Sequence, residues 1–217
     1  MPFQVEVWGP YACFSRPEMK VERVSYDVMT PSAARGILES VYWHPGLKWC
    51  IDRIHVCNPI RFTNIRRNEV KSKISARNAY GAMTGGGGPL YLSTKGDIQQ
   101  RAALILRDVR YVIEAHFEMT EAANASDNAG KFTDIIKRRL RRGACYAQPY
   151  LGVREFAAQF RPYPGGPIPT AYPGETRDLG YMLFDLDYTD PQDIQPMFFR
   201  AKLVDGVLDV ADCEVLR

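Results

Sequence analysis

Histidine is the side chain best suited to exchanging protons near neutral pH, and the 217-residue chain has three. His116 lies in an alternating run. Tyr111, Ile113, Ala115, Phe117 and Met119 take one parity, and His116 takes the other with Glu114 and Glu118. A period-two strand puts it on a polar face, as a proton-transfer group or as a half-exposed histidine held by its carboxylate neighbours. Tyr42 follows one turn after Leu38 on an apolar helix stripe; it reads as a core tyrosine with its hydroxyl at the rim, or as a second chemical group. Arg66, Arg67, Lys71, Lys73 and Arg77 form a basic run interleaved with Asn64, Asn68 and Asn78. Such residues neutralise phosphates, and their flexible polar neighbours adapt to a curved single strand. A second run covers 137–142 and includes Arg138, Arg139 and Arg142. Consecutive helical residues point about 100° apart, so a solvated helix end accounts for part of it.

Other chemistries lack their residues. There is no GxSxG, HExxH or GxxxxGK[ST], and the four glycines at 85–88 are followed by Pro-Leu-Tyr. Cys50, His55 and Cys57 lie close, but no second ligand cluster follows, so no metal and no cofactor are expected. Asp185 and Asp187 share a strand face and read as exposed polar residues. The net charge of +3 conceals a division. Residues 1–174 hold 24 Lys+Arg against 15 Asp+Glu, and 175–217 hold 4 against 10. Charges act within about 10 Å, so the basic body reads as a surface for a polyanion partner or as a solvated basic face. No apolar stretch approaches a membrane span. No basic start with an apolar run marks a signal peptide, and five cysteines without a CxxC pair read as reduced thiols; the expected location is cytoplasmic.

These residues need elements to hold them. Phe3, Val5 and Val7 alternate as a strand. Thr30-Pro31 opens a helix whose buried stripe is Ala34, Ile37, Leu38 and Val41, ending at about His44 before Pro45-Gly46. Leu47, Trp49 and Ile51 alternate in odd register, whereas Ile54, Val56, Ile60 and Phe62 alternate in even register, which predicts a bulge near Asp52-Arg53. A second helix over 131–142 carries Phe132, Ile135, Ile136 and Leu140, with Gly143 at its C′ position. Tyr150–Phe156 reads as extended chain, 162–180 as a Pro/Gly-rich loop, and Met182–Tyr188 as a strand. Asp205-Gly206 signals a two-residue hairpin. The fold class is therefore α+β: a ferredoxin-like β-α-β-β-α-β domain over 1–161 with a basic insertion at about 64–102, then a small antiparallel β-sheet domain over 181–217.

Longer stretches carry a family resemblance. GPYACFSRPE (9–18) leads into ERVSYDVMTPSAARGILE (22–39) and Tyr42-Trp43-His44-Pro45; RFTNIRRNE (61–69), Gly130-Lys131, Arg138-Arg139 and PYLGVREF (149–156) follow. Together these resemble the Cas-five family of CRISPR-associated proteins, in the variant of type I-C systems. The resemblance implies a RAMP-type ferredoxin-like domain. It also implies an endoribonuclease that cuts precursor CRISPR RNA at the base of its repeat hairpin and stays on the 5′ tag within the type I-C Cascade. The implied chemistry is metal-independent: the ribose 2′-hydroxyl attacks the adjacent phosphate, leaving a 2′,3′-cyclic phosphate and a 5′-hydroxyl.

In the family a tyrosine at the end of the first helix and a histidine with a nearby lysine on the third strand do this work. Tyr42 and His116 match the first two. No lysine stands beside His116, and Glu114 holds the neighbouring same-face position; Lys131 and Lys48 are the candidate cations. RNA contacts are expected from Arg35, Arg66, Arg67, Lys71, Lys73, Arg77, Arg138, Arg139, Arg142 and Arg154. The implied partners are the crRNA repeat hairpin and the other Cascade subunits, with double-stranded DNA as a further candidate and no membrane. The alternatives are a non-catalytic tag-binding subunit and a general duplex binder.

Overall fold

In a computed structural model, residues 2–19, 21–86, 88 and 90–217 are described; Gly87 of the four-glycine run lies outside them. The strands are β1 (Phe3–Ala12), β2 (Arg23–Val24), β3 (Leu47–Val56), β4 (Phe62–Val70), β5 (Ile98–Met119), β6 (Gln159–Pro162), β7 (Thr176–Asp187), β8 (Gln195–Val204), β9 (Val207–Asp209) and β10 (Val215–Leu216). The helices are α1 (Pro31–Val41), α2 (Ala76–Met83) and α3 (Ala129–Arg142). The fold is α+β, dominated by one large sheet ordered β10-β8-β9-β3-β5-β1-β6, with β7 on β8. Among the described residues no helix is long and apolar enough to cross a membrane.

The helices start where their caps dictate. Thr30 Oγ1 accepts the Ala33 amide at 3.2 Å, and Ala34, Ile37, Leu38 and Val41 are buried. α1 stops at Val41, three residues before the expected end, because Tyr42 turns to extended backbone (φ −150°) while its amide still bonds Leu38 O. Asn128 Oδ1 caps α3 at the Lys131 amide, so that helix begins two residues earlier than the apolar pattern predicts. It ends on Gly143 in the left-handed conformation (φ 62°).

β1 is buried on both faces. Val5 and Val7 fill one; on the other, Glu6 is 1% exposed and bonded by Arg110 of β5 and Arg161 of β6. Burial pushes the Glu6 carboxyl up, but the hydrogen bonds and charges of Arg161 and Arg110 outweigh it and hold it below its ordinary value.

Two expectations are corrected. Residues 181–217 do not form a separate sheet: Val207, Leu208 and Asp209 pair with His55, Ile54 and Arg53 of β3. This covers backbone groups that an edge strand would leave unpaired, and it joins the C-terminal strands to the main sheet. Asp205 (φ 50°) and Gly206 (φ 72°) make the predicted hairpin turn that places β9 there. Second, Tyr150–Phe156 is a tight loop instead of extended chain. The Leu151 amide donates to Phe156 O, both side chains are buried, and Gly152 turns left-handed (φ 85°) against Cys13. The compact body is formed by residues up to Thr63 with Leu104–Arg217. Asn64–Ala103 is a unit of its own, built from strand segments and α2, whose side chains are all unburied.

A Cβ on Gly152 would lie 2.0 Å from Cys13 O, so Gly152→Ala is expected to cost at least about 2 kcal/mol by chemical denaturation. Gly143→Ala, with open space around it, is expected to cost about 1 kcal/mol. Glu6→Gln should be less stable than wild type at pH 7. Because the Glu6 pKa is depressed on folding, its stabilisation is present above the unfolded value and is lost as pH falls through the folded one. The two stabilities should therefore converge as pH falls below the ordinary glutamate range. A pH-independent gap would exclude a charge effect.

Candidate active site and nucleic-acid surfaces

β3 and β5 run antiparallel, with Lys48 opposite Glu118, Trp49 opposite Phe117 and Cys50 opposite His116. The register shifts by one between Ile51 and Arg53, where the sequence predicts a bulge. Asp52 occupies that slip, and its Oδ1 lies 2.8 Å from His116 Nδ1. This bond fixes the imidazole and leaves Nε2 for a substrate. The His116 side chain is 49% exposed, and it borders a groove of about 490 Å³ with Lys48, Asp52, Glu118, Tyr188 and Phe184. Asp52 was not singled out from the sequence; the parity slip at 52–53 was the signal for it.

Lys48 shares the face of Cys50, hence that of His116. The cation absent beside His116 in sequence thus stands across the strand pair. Glu114 does not face the groove as an unpaired carboxylate. It accepts from Gln4 Nε2 at 2.8 Å and lies 3.4 Å from His55 Nε2 and 3.7 Å from Arg53. Burial pushes the His55 imidazole down, only partly opposed by Glu114.

Tyr42 belongs to a different cluster. Its ring is 6.0 Å from Phe132, which lies 6.1 Å from Phe117; Trp49 is 6.1 Å from Phe117 and donates its indole N–H to Tyr42 O. Neighbouring strand residues point to opposite faces, so His116 looks away from the aromatic cluster that holds Tyr42. Lys131 falls on the Tyr42 side, where its Nζ is 2.7 Å from Asp127. The Asp127 side chain, 2% exposed, is held below the usual carboxylate range by that bond and by the Asn124 amide. Burial and the Asp127 charge push the Tyr42 hydroxyl up, against Lys131 and Arg139. The structure therefore joins Tyr42 with Lys131, and His116 with Asp52 and Lys48.

The arginines divide in the same way. Arg35 is engaged by Asp185, through two 2.8 Å bonds, and by Glu39 at 2.6 Å, so its guanidinium ties α1 to β7 instead of standing free for RNA. Arg139 donates to Val41 O at 2.8 Å and lies over the Tyr42 ring, bracing the end of α1. Arg138, Arg142 and Arg154 are exposed. Within the Asn64–Ala103 unit, Arg66, Lys71, Lys73 and Arg77 are exposed and Arg67 is half-buried; Tyr80 and Tyr91 also stand out to solvent there.

Comparison with known proteins gives a consistent result. A family model described as CRISPR-associated protein (Cas5), of the Cas5d type, matches residues 3–211. Two curated proteins, each called CRISPR pre-crRNA endoribonuclease Cas5d, are similar over 95% of this chain. One, from Mannheimia succiniciproducens, is 50% identical with 93% of its length covered. The other, from Thermus thermophilus, is 40% identical with 90% covered. A crystal structure described as a CRISPR-associated protein superposes with a TM-score of 0.71 at 21% identity, covering 100% of this chain and 97% of that one. This last likeness concerns the fold.

Arg35→Ala and Arg139→Ala are each expected to lower stability by about 1–3 kcal/mol, since each leaves buried or half-buried partners unpaired. Arg138→Ala, an exposed change on the same helix as Arg139, should stay within about 0.5 kcal/mol of wild type. Equal melting temperatures for all three would refute the division between structural and free arginines.

Proposed function

The chain belongs to the Cas5d family of CRISPR-associated proteins, and from that premise we propose that it is the endoribonuclease that cuts precursor CRISPR RNA at the base of the repeat hairpin and remains on the 5′ tag within the type I-C Cascade. The observation that carries this reading is 50% identity, over nearly the whole chain, to a protein named for that activity. The run β1-α1-β3-β5-α3-β6, with sheet order β6-β1-β5-β3, supports a ferredoxin-like core of the kind RNA-binding domains use.

The chemistry is 2′-hydroxyl attack. A base removes the 2′-proton, the oxygen attacks the adjacent phosphorus, and the leaving 5′-oxygen takes up a proton. The products are a 2′,3′-cyclic phosphate and a 5′-hydroxyl. No metal is required if side chains supply the proton transfers and stabilise the extra charge of the phosphorane. His116 is assigned the proton transfer; the 2.8 Å bond that its Nδ1–H donates to Asp52 supports this by orienting Nε2 outward. Lys48, on the same strand face, is assigned the developing phosphate charge. Lys131, exposed on the opposite face, is assigned a contact to RNA phosphate, and the buried Tyr42 is assigned the support of that face from beneath. An A-form stem exposes its phosphates and 2′-hydroxyls, which suits the exposed Arg138 and Arg142 of α3; the exposed Arg66, Lys71, Lys73 and Arg77 give the Asn64–Ala103 unit a basic surface of its own.

Purified protein should cut its own repeat RNA once in EDTA. His116→Ala should slow single-turnover cleavage by at least about 100-fold while binding persists. Lys48→Ala should slow it by about 100-fold. Wild-type cleavage by His116→Ala would show that the site is wrong. A 2′-deoxy substitution at the cut position should abolish cleavage and spare binding; continued cutting would exclude the chemistry. Tight tag binding without any cut would identify a non-catalytic subunit. Arg138→Ala should weaken RNA binding and reduce the salt slope by about one.

A further inference from the structure

The face of the β3–β5 pair that carries His116 also carries two ligand types suited to a different task. Cys50 sits directly across from His116, and Glu118 follows two residues later on the same strand face. Each offers one ligand atom, and these atoms lie within 4.8 Å of one another, the one such group of three among the described residues. Sulfur, imidazole nitrogen and carboxylate oxygen together match zinc and its chemical relatives and do not match magnesium or calcium, which take oxygen alone. We propose that Cys50, His116 and Glu118 bind a zinc-type divalent cation, and that the bound ion takes His116 away from RNA and so inhibits cleavage.

Three observations support the site. Asp52 holds His116 Nδ1 at 2.8 Å, which leaves Nε2 for the ion and reproduces the carboxylate–histidine arrangement behind metal-bound imidazoles. His116 and Glu118 are exposed and Cys50 is half-buried beside the groove, so an ion can enter from water and keep water as its fourth ligand. The three side chains project from paired strands, so binding calls for side-chain rotation with no change of backbone. As the sulfur–metal bond forms, the thiol proton passes to solvent. Lys48, across from Glu118, opposes the cation's charge and makes the site reversible. A nitrogen coordinated to a metal can neither accept the 2′-proton nor deliver one to the leaving oxygen. Occupancy and catalysis are therefore mutually exclusive. Only the inhibition rests on the ribonuclease reading; the site itself does not.

The test is titration of the chelator-stripped full chain with cobalt(II), a coloured stand-in for zinc. Wild type should develop a thiolate-to-cobalt charge-transfer band that zinc abolishes. Cys50→Ser should lack the band, and Asp52→Asn should weaken cobalt binding about tenfold or more. A band that survives Cys50→Ser, or none in wild type, overturns the site. In the cleavage assay, one equivalent of zinc should slow wild type about tenfold or more and leave Cys50→Ser close to its own metal-free rate. Equal zinc inhibition of both proteins, or of neither, overturns the switch. If metal-free wild type does not cut at all, the ribonuclease reading falls while the cobalt titration still decides the site.

Discussion

The pairing of β3 with β5, and the single slip between Ile51 and Arg53, is the constraint on which the rest depends. Before the slip, Leu47 and Trp49 are buried; after it, Ile54 and Val56 are. A strand that kept one register throughout would turn half of these side chains into water. The bulge lets both halves face the core, and the residue at the slip is a carboxylate aimed at His116. One packing requirement thus produces the polar pair at the centre of the groove. The same slip aligns the second half of β3 with β9, so the C-terminal strands close the edge next to the site.

Two faces of one strand pair then acquire different chemistry. On one, Phe132 packs on Tyr42 and links it to Phe117 and Trp49, and Asp127 and Lys131 neutralise each other at its edge. On the other lie His116, Asp52, Cys50, Glu118 and Lys48. Charge is handled by pairing wherever it is buried. Glu6 lies between Arg110 and Arg161, and Arg35 lies between Asp185 and Glu39. These arginines have donors engaged by carboxylates of the fold, and leaving the buried Glu6 unpaired would cost far more than a surface pair contributes. The arginines left to solvent, such as Arg138 and Arg142, remain available to phosphates.

Much of the local organisation was legible in the chain. Thr30-Pro31, Gly143, the Asp205-Gly206 turn and the parity slip at 52–53 each have a near-neighbour cause, and each is found where the residues indicate. The misread segments have causes far away in sequence. Tyr150–Phe156 looks extended by composition, yet it folds tightly because Gly152 must fit against Cys13. The C-terminal strands look like a separate sheet, yet they add to β3 because that edge is open. Arg35 and Arg139 look like surface cations, and nothing nearby in sequence announces Asp185 or the Val41 carbonyl.

By itself, then, the sequence determined α1, α3 and the strands around His116, the face of His116, the bulge and the family, since periodicity, caps and turns act over a few residues and motifs are read directly. Tertiary structure alone decided which groups meet: Asp52 with His116, Lys48 on the same face, and Lys131 with Tyr42 on the other. The physical reason is strand pairing. Register brings together residues about 64 positions apart in the chain, and a one-residue change in it would exchange one face for the other.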